Sequence, residues 1–122
     1  MFDDSLMLIA GGTDGSLTTT GTYTGIDVQE SPVKGYTFLA VVPARVATTI
    51  LDIDIEQADT DANASYARLI SFPQISAAGI YSVHAAVPKR YVRASVSVAG
   101  TSPDFGAVSV GIVSAPPRFW NA

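Results

Sequence analysis

The feature that most limits how this chain can fold is alternation at period two, held over short runs that Gly, Pro, Asp and Ser interrupt. From Lys89 the sequence reads Lys-Arg-Tyr-Val-Arg-Ala-Ser-Val-Ser-Val. Val92, Ala94, Val96 and Val98 therefore share one side, and Arg93, Ser95 and Ser97 share the other. A strand sends successive side chains to opposite faces, whereas a helix would scatter these residues around its surface. The run 50–57 repeats the pattern, with Leu51, Ile53 and Ile55 set against Asp52, Asp54 and Glu56. Residues 99–105, Ala-Gly-Thr-Ser-Pro-Asp-Phe, are turn formers, and 106–113 is again strand-like. Read locally, 91–113 is predicted to fold as a β-hairpin with one buried face.

The rest of the chain follows the same grammar. An apolar run at 6–10 stops at Gly11-Gly12. Residues 17–23 are Thr-rich and broken by Gly21, which suits an edge strand or an extended loop. Residues 36–42, Tyr-Thr-Phe-Leu-Ala-Val-Val, form an unbroken β-former run ended by Pro43, as a central strand would. Further strands are expected at 66–72 and 79–87, with a polar loop at 58–65, and a turn at 44–48 is the one helix candidate. About eight short strands with such punctuation predict an all-β, single-domain antiparallel sandwich, jelly-roll-like. It spans residues 1–122, with a short N-terminal arm and a C-terminal tail rich in Pro and aromatics. Val92, Val96, Val98, Val108, Val110, Leu51, Ile53 and Ile55 are expected in its core.

Charge narrows the function. Of the 122 residues 48% are hydrophobic and only 15% charged, against about 25% in typical soluble proteins. Such a surface suits a protein packed against a partner. A net charge of −4 argues against nucleic-acid binding, which needs cations to displace counterions from phosphate. The charge is uneven: residues 1–61 carry ten acids against Lys34 and Arg45, while 62–122 carry Asp104 against Arg68, Lys89, Arg90, Arg93 and Arg118. This separation favours contacts between copies, unless strands of the two halves interleave and cancel it. The chain has no cysteine, as expected of a protein made in a reducing cytoplasm. Met1-Phe2-Asp3-Asp4 is acidic where a signal peptide is basic, and 6–10 is too short to span a bilayer, so a soluble chain without membrane contact is expected.

The motifs that suggest chemistry are weak. Asp52, Asp54 and Glu56 share one strand face, whereas glycosidase carboxylates oppose each other across a cleft. Asp59-Thr60-Asp61-Ala62-Asn63 opens like a calcium loop but lacks the Gly and Glu that should follow, so a polar turn is the plainer reading. His84, the lone histidine, lies two residues from Ser82 without a nucleophile elbow. Gly11-Gly12 and Gly15 precede no phosphate-loop Lys. These readings predict no enzyme, no cofactor and no metal. The residues suited to a partner are Arg90 and Arg93 beside Lys89, the loop residues Asp59, Asp61 and Asn63, and the tail residues Arg118, Phe119 and Trp120, whose aromatics must either fold back on the core or bury against another chain. Trp and Arg are enriched where interfaces hold most of their energy.

Arg90-Tyr-Val-Arg, the alternating strand behind it, Gly100-Thr-Ser-Pro-Asp-Phe-Gly and the closing Val110-Gly-Ile-Val resemble the cement (decoration) proteins of tailed-bacteriophage capsids. The resemblance implies a protein without catalytic chemistry. It would bind the outer surface of the assembled major-capsid-protein shell, bridge neighbouring capsomers and stabilise the virion. It also implies self-association as a homodimer or homotrimer. A carbohydrate-binding β-sandwich is the alternative, and it requires Tyr23, Tyr36, Tyr66 and Tyr81 to converge on an exposed platform.

Overall fold

The computed structural model describes residues 7–11, 15–27, 35–86 and 89–114. They form two antiparallel sheets, built from β1 (Met7–Ile9), β2 (Gly21–Thr22), β3 (Ile26–Asp27), β4 (Gly35–Val42), β5 (Ile50–Ala58), β6 (Ala67–Ser71), β7 (Gly79–Ala86), β8 (Tyr91–Ala99) and β9 (Ser109–Ser114). One sheet has the order β1-β9-β4-β7; the other runs β2-β8-β5-β6, with β3 also on β8. Because β2 and β3 continue along the same partner, they are two pieces of one strand position interrupted at residues 23–25. The eight positions pair as a single wound hairpin: β1 with β9, β2 and β3 with β8, β4 with β7, and β5 with β6. Winding then adds the β4–β9 and β5–β8 ladders, each of which joins two of these pairs side by side within one sheet. This is jelly-roll topology, and the sandwich expected from the sequence is present.

The predicted hairpin at 91–113 is not. β8 lies in one sheet between β2/β3 and β5, β9 lies in the other between β1 and β4, and residues 100–108 cross between the layers. Period-two alternation states that a strand has an inner face; it does not name the neighbour that supplies its hydrogen bonds. The helix candidate at 44–48 is a turn in which Thr48 takes a positive φ of 66°, and the 3-10 turn falls instead at Asn63–Ser65.

The core lies between the sheets. Leu51, Ile53 and Ile55 from β5 and Val92, Ala94 and Val96 from β8 face Phe38, Ala40 and Val42 from β4 and Val110 and Ile112 from β9, all buried. Phe105 and Val108 close one end. Each fully buried large side chain contributes about 1.5–3 kcal/mol relative to exposure. Val98, expected inside, is only half-buried, because it lies near the end of β8. At that same end Leu17 donates its N–H to Gly106 at 2.8 Å, and Ala44 donates to Phe105 at 3.2 Å. Thr49, buried with its hydroxyl on the Val46 carbonyl at 2.6 Å, sits against Gly100. Three loops are thereby fastened to one another, and the site considered next occupies the opposite end.

Candidate partner interface

Alternation along β5 and β8 directs their polar residues to the outer face of the five-stranded sheet. The register sets Asp52 opposite Ser97, Asp54 opposite Ser95 and Glu56 opposite Arg93. The last pair closes: Arg93 Nε donates to Glu56 Oε1 at 2.6 Å, with side chains only 11% and 19% exposed. Arg93 Nη1 also donates to Asn63 Oδ1 at 2.8 Å, and the guanidinium lies 4.1 Å from the centroid of the Tyr66 ring. The Tyr66 hydroxyl donates in turn to Asp61 Oδ1 at 2.7 Å. Burial, together with the Asp61 carboxylate, raises the Tyr66 phenol well above its ordinary value, against the smaller opposing effect of Arg93. Tyr66 is thus a neutral donor through the whole physiological range. Gly25 makes room for it, since a Cβ there would fall on the Tyr66 hydroxyl.

Around this clamp two more exposed ion pairs close the same end. Lys89 Nζ meets Asp59 Oδ2 at 3.0 Å. Arg90 grips Asp27 with Nη2 at 2.8 Å and Nε at 3.0 Å, and lies 5.4 Å over the Tyr91 ring. Each of the three pairs joins an acid of residues 1–61 to a base of residues 62–122. Winding of the chain thus brings three of the first half's ten acids onto three of the second half's five bases within the protomer.

Of the predicted interface residues, Arg90, Arg93, Asp59, Asp61 and Asn63 converge on this end. Arg118, Phe119 and Trp120 lie outside the described residues. The strand before them, β9, ends at Ser114 opposite Thr37, the end of its sheet from which β7 leads to Arg90. Asp27, Glu56, Tyr66 and Gly25 complete the cluster and were not singled out as interface residues. Asp27 and Glu56 meet partners 63 and 37 residues away, and Tyr66 stacks on the equally non-local Arg93, so no local pattern marks them. In the loop, Asp59 is held by Lys89, Asp61 by Tyr66, and Asn63 by Arg93. No group of three or more His, Cys, Asp or Glu side chains suited to a metal occurs among the described residues. Asp54 accepts the Ser71 hydroxyl at 2.6 Å. His84 is exposed on β7 and shares a hydrogen bond with Thr37 Oγ1 at 2.8 Å. The tyrosines do not converge either. Tyr23, Tyr36 and Tyr81 pack against the core, and Tyr66 lies under Arg93 on the outer face of the five-stranded sheet.

This arrangement has a mechanical consequence. The 59–66 loop is anchored to the sheet by charged hydrogen bonds and a stacked ring, while Lys89, Asp59 and Arg90 form an exposed polar rim around a stiff centre. No family model matches the chain, and no curated protein matches its sequence.

Proposed function

We propose that this chain is a capsid cement protein of a tailed bacteriophage. Made in the host cytoplasm, it binds the outer surface of an assembled major-capsid-protein shell, bridges neighbouring capsomers and stabilises the virion as a homodimer or homotrimer. The observation that carries the reading is the sequence stretch 90–113, which resembles that family and forms β8 and β9, an inner strand of each jelly-roll sheet. The end bearing Arg90, Arg93 and the 59–66 loop meets the shell. Its side chains are already ordered by contacts within the protomer, so docking costs little side-chain entropy. Individually modest contacts become strong when an oligomer makes several of them on a repeating lattice. Bridging then raises the free energy needed to part capsomers. The carbohydrate-binding alternative is disfavoured by the inward packing of three of its four tyrosines.

The test begins with the encoding gene, whose neighbour should specify a major capsid protein. Shells assembled from that neighbour and mixed with the purified chain should carry it down on sedimentation, at a stoichiometry fixed by the lattice. A chain that stays in the supernatant at every ratio ends the proposal.

A further inference from the structure

The jelly roll leaves four sheet edges, and three of them are blunted. β1 is three residues long with a register shift. The opposite sheet offers β2 and β3, of two residues each, on one side. On its other side β6 carries the exposed Arg68 and a register shift against β5. These are the devices by which edges avoid pairing with other chains. β7 has none of them. All eight of its residues, Gly-Ile-Tyr-Ser-Val-His-Ala-Ala, pair with β4 in one uninterrupted register, and the strand contains no Lys, Arg, Asp, Glu or Pro. No strand pairs with its far side among the described residues. Its outward side chains Ile80, Ser82, His84 and Ala86 are exposed, Ile80 by 68%, the largest exposure of any described large hydrophobic residue.

We propose that β7 is the strand through which two copies of this chain pair. A two-fold axis normal to the sheet sets β7 antiparallel to its own copy. Backbone donors then meet acceptors on both strands, and the contact is self-complementary. A two-fold also places like charges near one another, which β7, without Lys, Arg, Asp or Glu, tolerates better than β6 with Arg68. Two four-stranded sheets become one of eight. Because the remaining edges are blunted, the pairing closes at a dimer instead of growing. The inference deepens the cement reading by choosing dimer over trimer and naming the surface, but it is measured on the free protein.

The experiment is sedimentation velocity of the full chain over a wide concentration range. The wild type is expected to show a monomer–dimer equilibrium, and Ile80→Lys and Ser82→Lys should each weaken it at least about tenfold by placing cations across the axis. Both positions are exposed, so melting should not change. Ala67→Lys on the β6 edge is the matched control and should leave dimerisation unaltered. Since the chain has no cysteine, Ser82→Cys gives a second readout, an intermolecular cross-link absent from Ala67→Cys. A wild type that stays monomeric, or a dimer indifferent to both β7 lysines, overturns the proposal. Binding of the same proteins to shells, measured separately, decides the cement reading whatever the dimer does.

Discussion

Arg93 does more than any other residue described to hold the candidate interface in shape. Its head group is shared among Glu56, Asn63 and the Tyr66 ring, and little of it reaches solvent. Arg93→Ala would leave the Glu56 carboxylate largely buried without its counter-charge and release the 59–66 loop. A loss of about 2–3 kcal/mol is expected from denaturant melts. Arg93→Lys retains the charge but lacks the planar fork that reaches Glu56 and Asn63 while stacking on a ring, so it should restore only part of the loss. Lys89→Ala, which removes an exposed pair with Asp59, should change stability by less than about 1 kcal/mol. If Arg93→Ala proves no worse than Lys89→Ala, the clamp is ornamental. Part of this was legible in the sequence: alternation placed Arg93 and Glu56 on outer faces, and composition marked the 59–63 loop. That they meet depends on a register between strands 37 residues apart, which no local pattern encodes.

At the scale of elements, the strands were more legible than their pairings. The alternation at 50–57 became β5 with Leu51, Ile53 and Ile55 inside, and the unbroken run at 36–42 became β4, flanked by β9 and β7. The hairpin at 91–113 failed because a turn-rich connection of nine residues, 100–108, serves equally to reverse a strand within a sheet or to cross between sheets. What decides for crossing is packing at the far end of the molecule. Gly100 holds φ at +112°, and a Cβ there would lie 2.8 Å from Thr49 Cγ2 and 2.9 Å from Thr49 Cα. The 43–49 turn and the 100–108 crossover thus share a contact that only glycine fits. Gly100→Ala should cost about 1–3 kcal/mol, from the strained backbone and the displaced Thr49 together. Gly21→Ala, where nothing lies within 4 Å of the added carbon, should cost under about 0.5 kcal/mol. Thermal melts of the two variants test whether the crossover is fixed by this contact. Equal melting temperatures would mean that it is not.

The whole molecule is a hairpin wound from its middle, with its apex at the 59–66 loop and its ends in β1 and β9. That topology brings the two unevenly charged halves of the sequence together: winding lays the second half against the first, and Asp27, Glu56 and Asp59 each meet a base from beyond residue 62. It also concentrates structural importance at the C-terminal side. β9 bridges β1 and β4 and places Val110 and Ile112 in the core, whereas every ladder of the described fold is complete at Ser114. Two truncations should therefore behave very differently. Ending the chain after Val108 removes the partner of two strands and is expected to abolish cooperative melting, since these losses together rival the roughly 5–15 kcal/mol that holds a domain folded. Ending it after Ser114 removes Arg118, Phe119 and Trp120 and should leave a cooperative melt close to that of the full chain. If those residues belong to the surface that meets the shell, the shorter chain will instead lose occupancy on shells, and Phe119→Ala with Trp120→Ala will reproduce most of that loss, because a buried Trp anchor is worth about 2 kcal/mol or more per contact. Should melting collapse after the shorter cut while the surviving folded protein binds shells as before, the tail belongs to the protomer's own core. The partner surface would then rest on Arg90, Arg93 and the 59–66 loop alone.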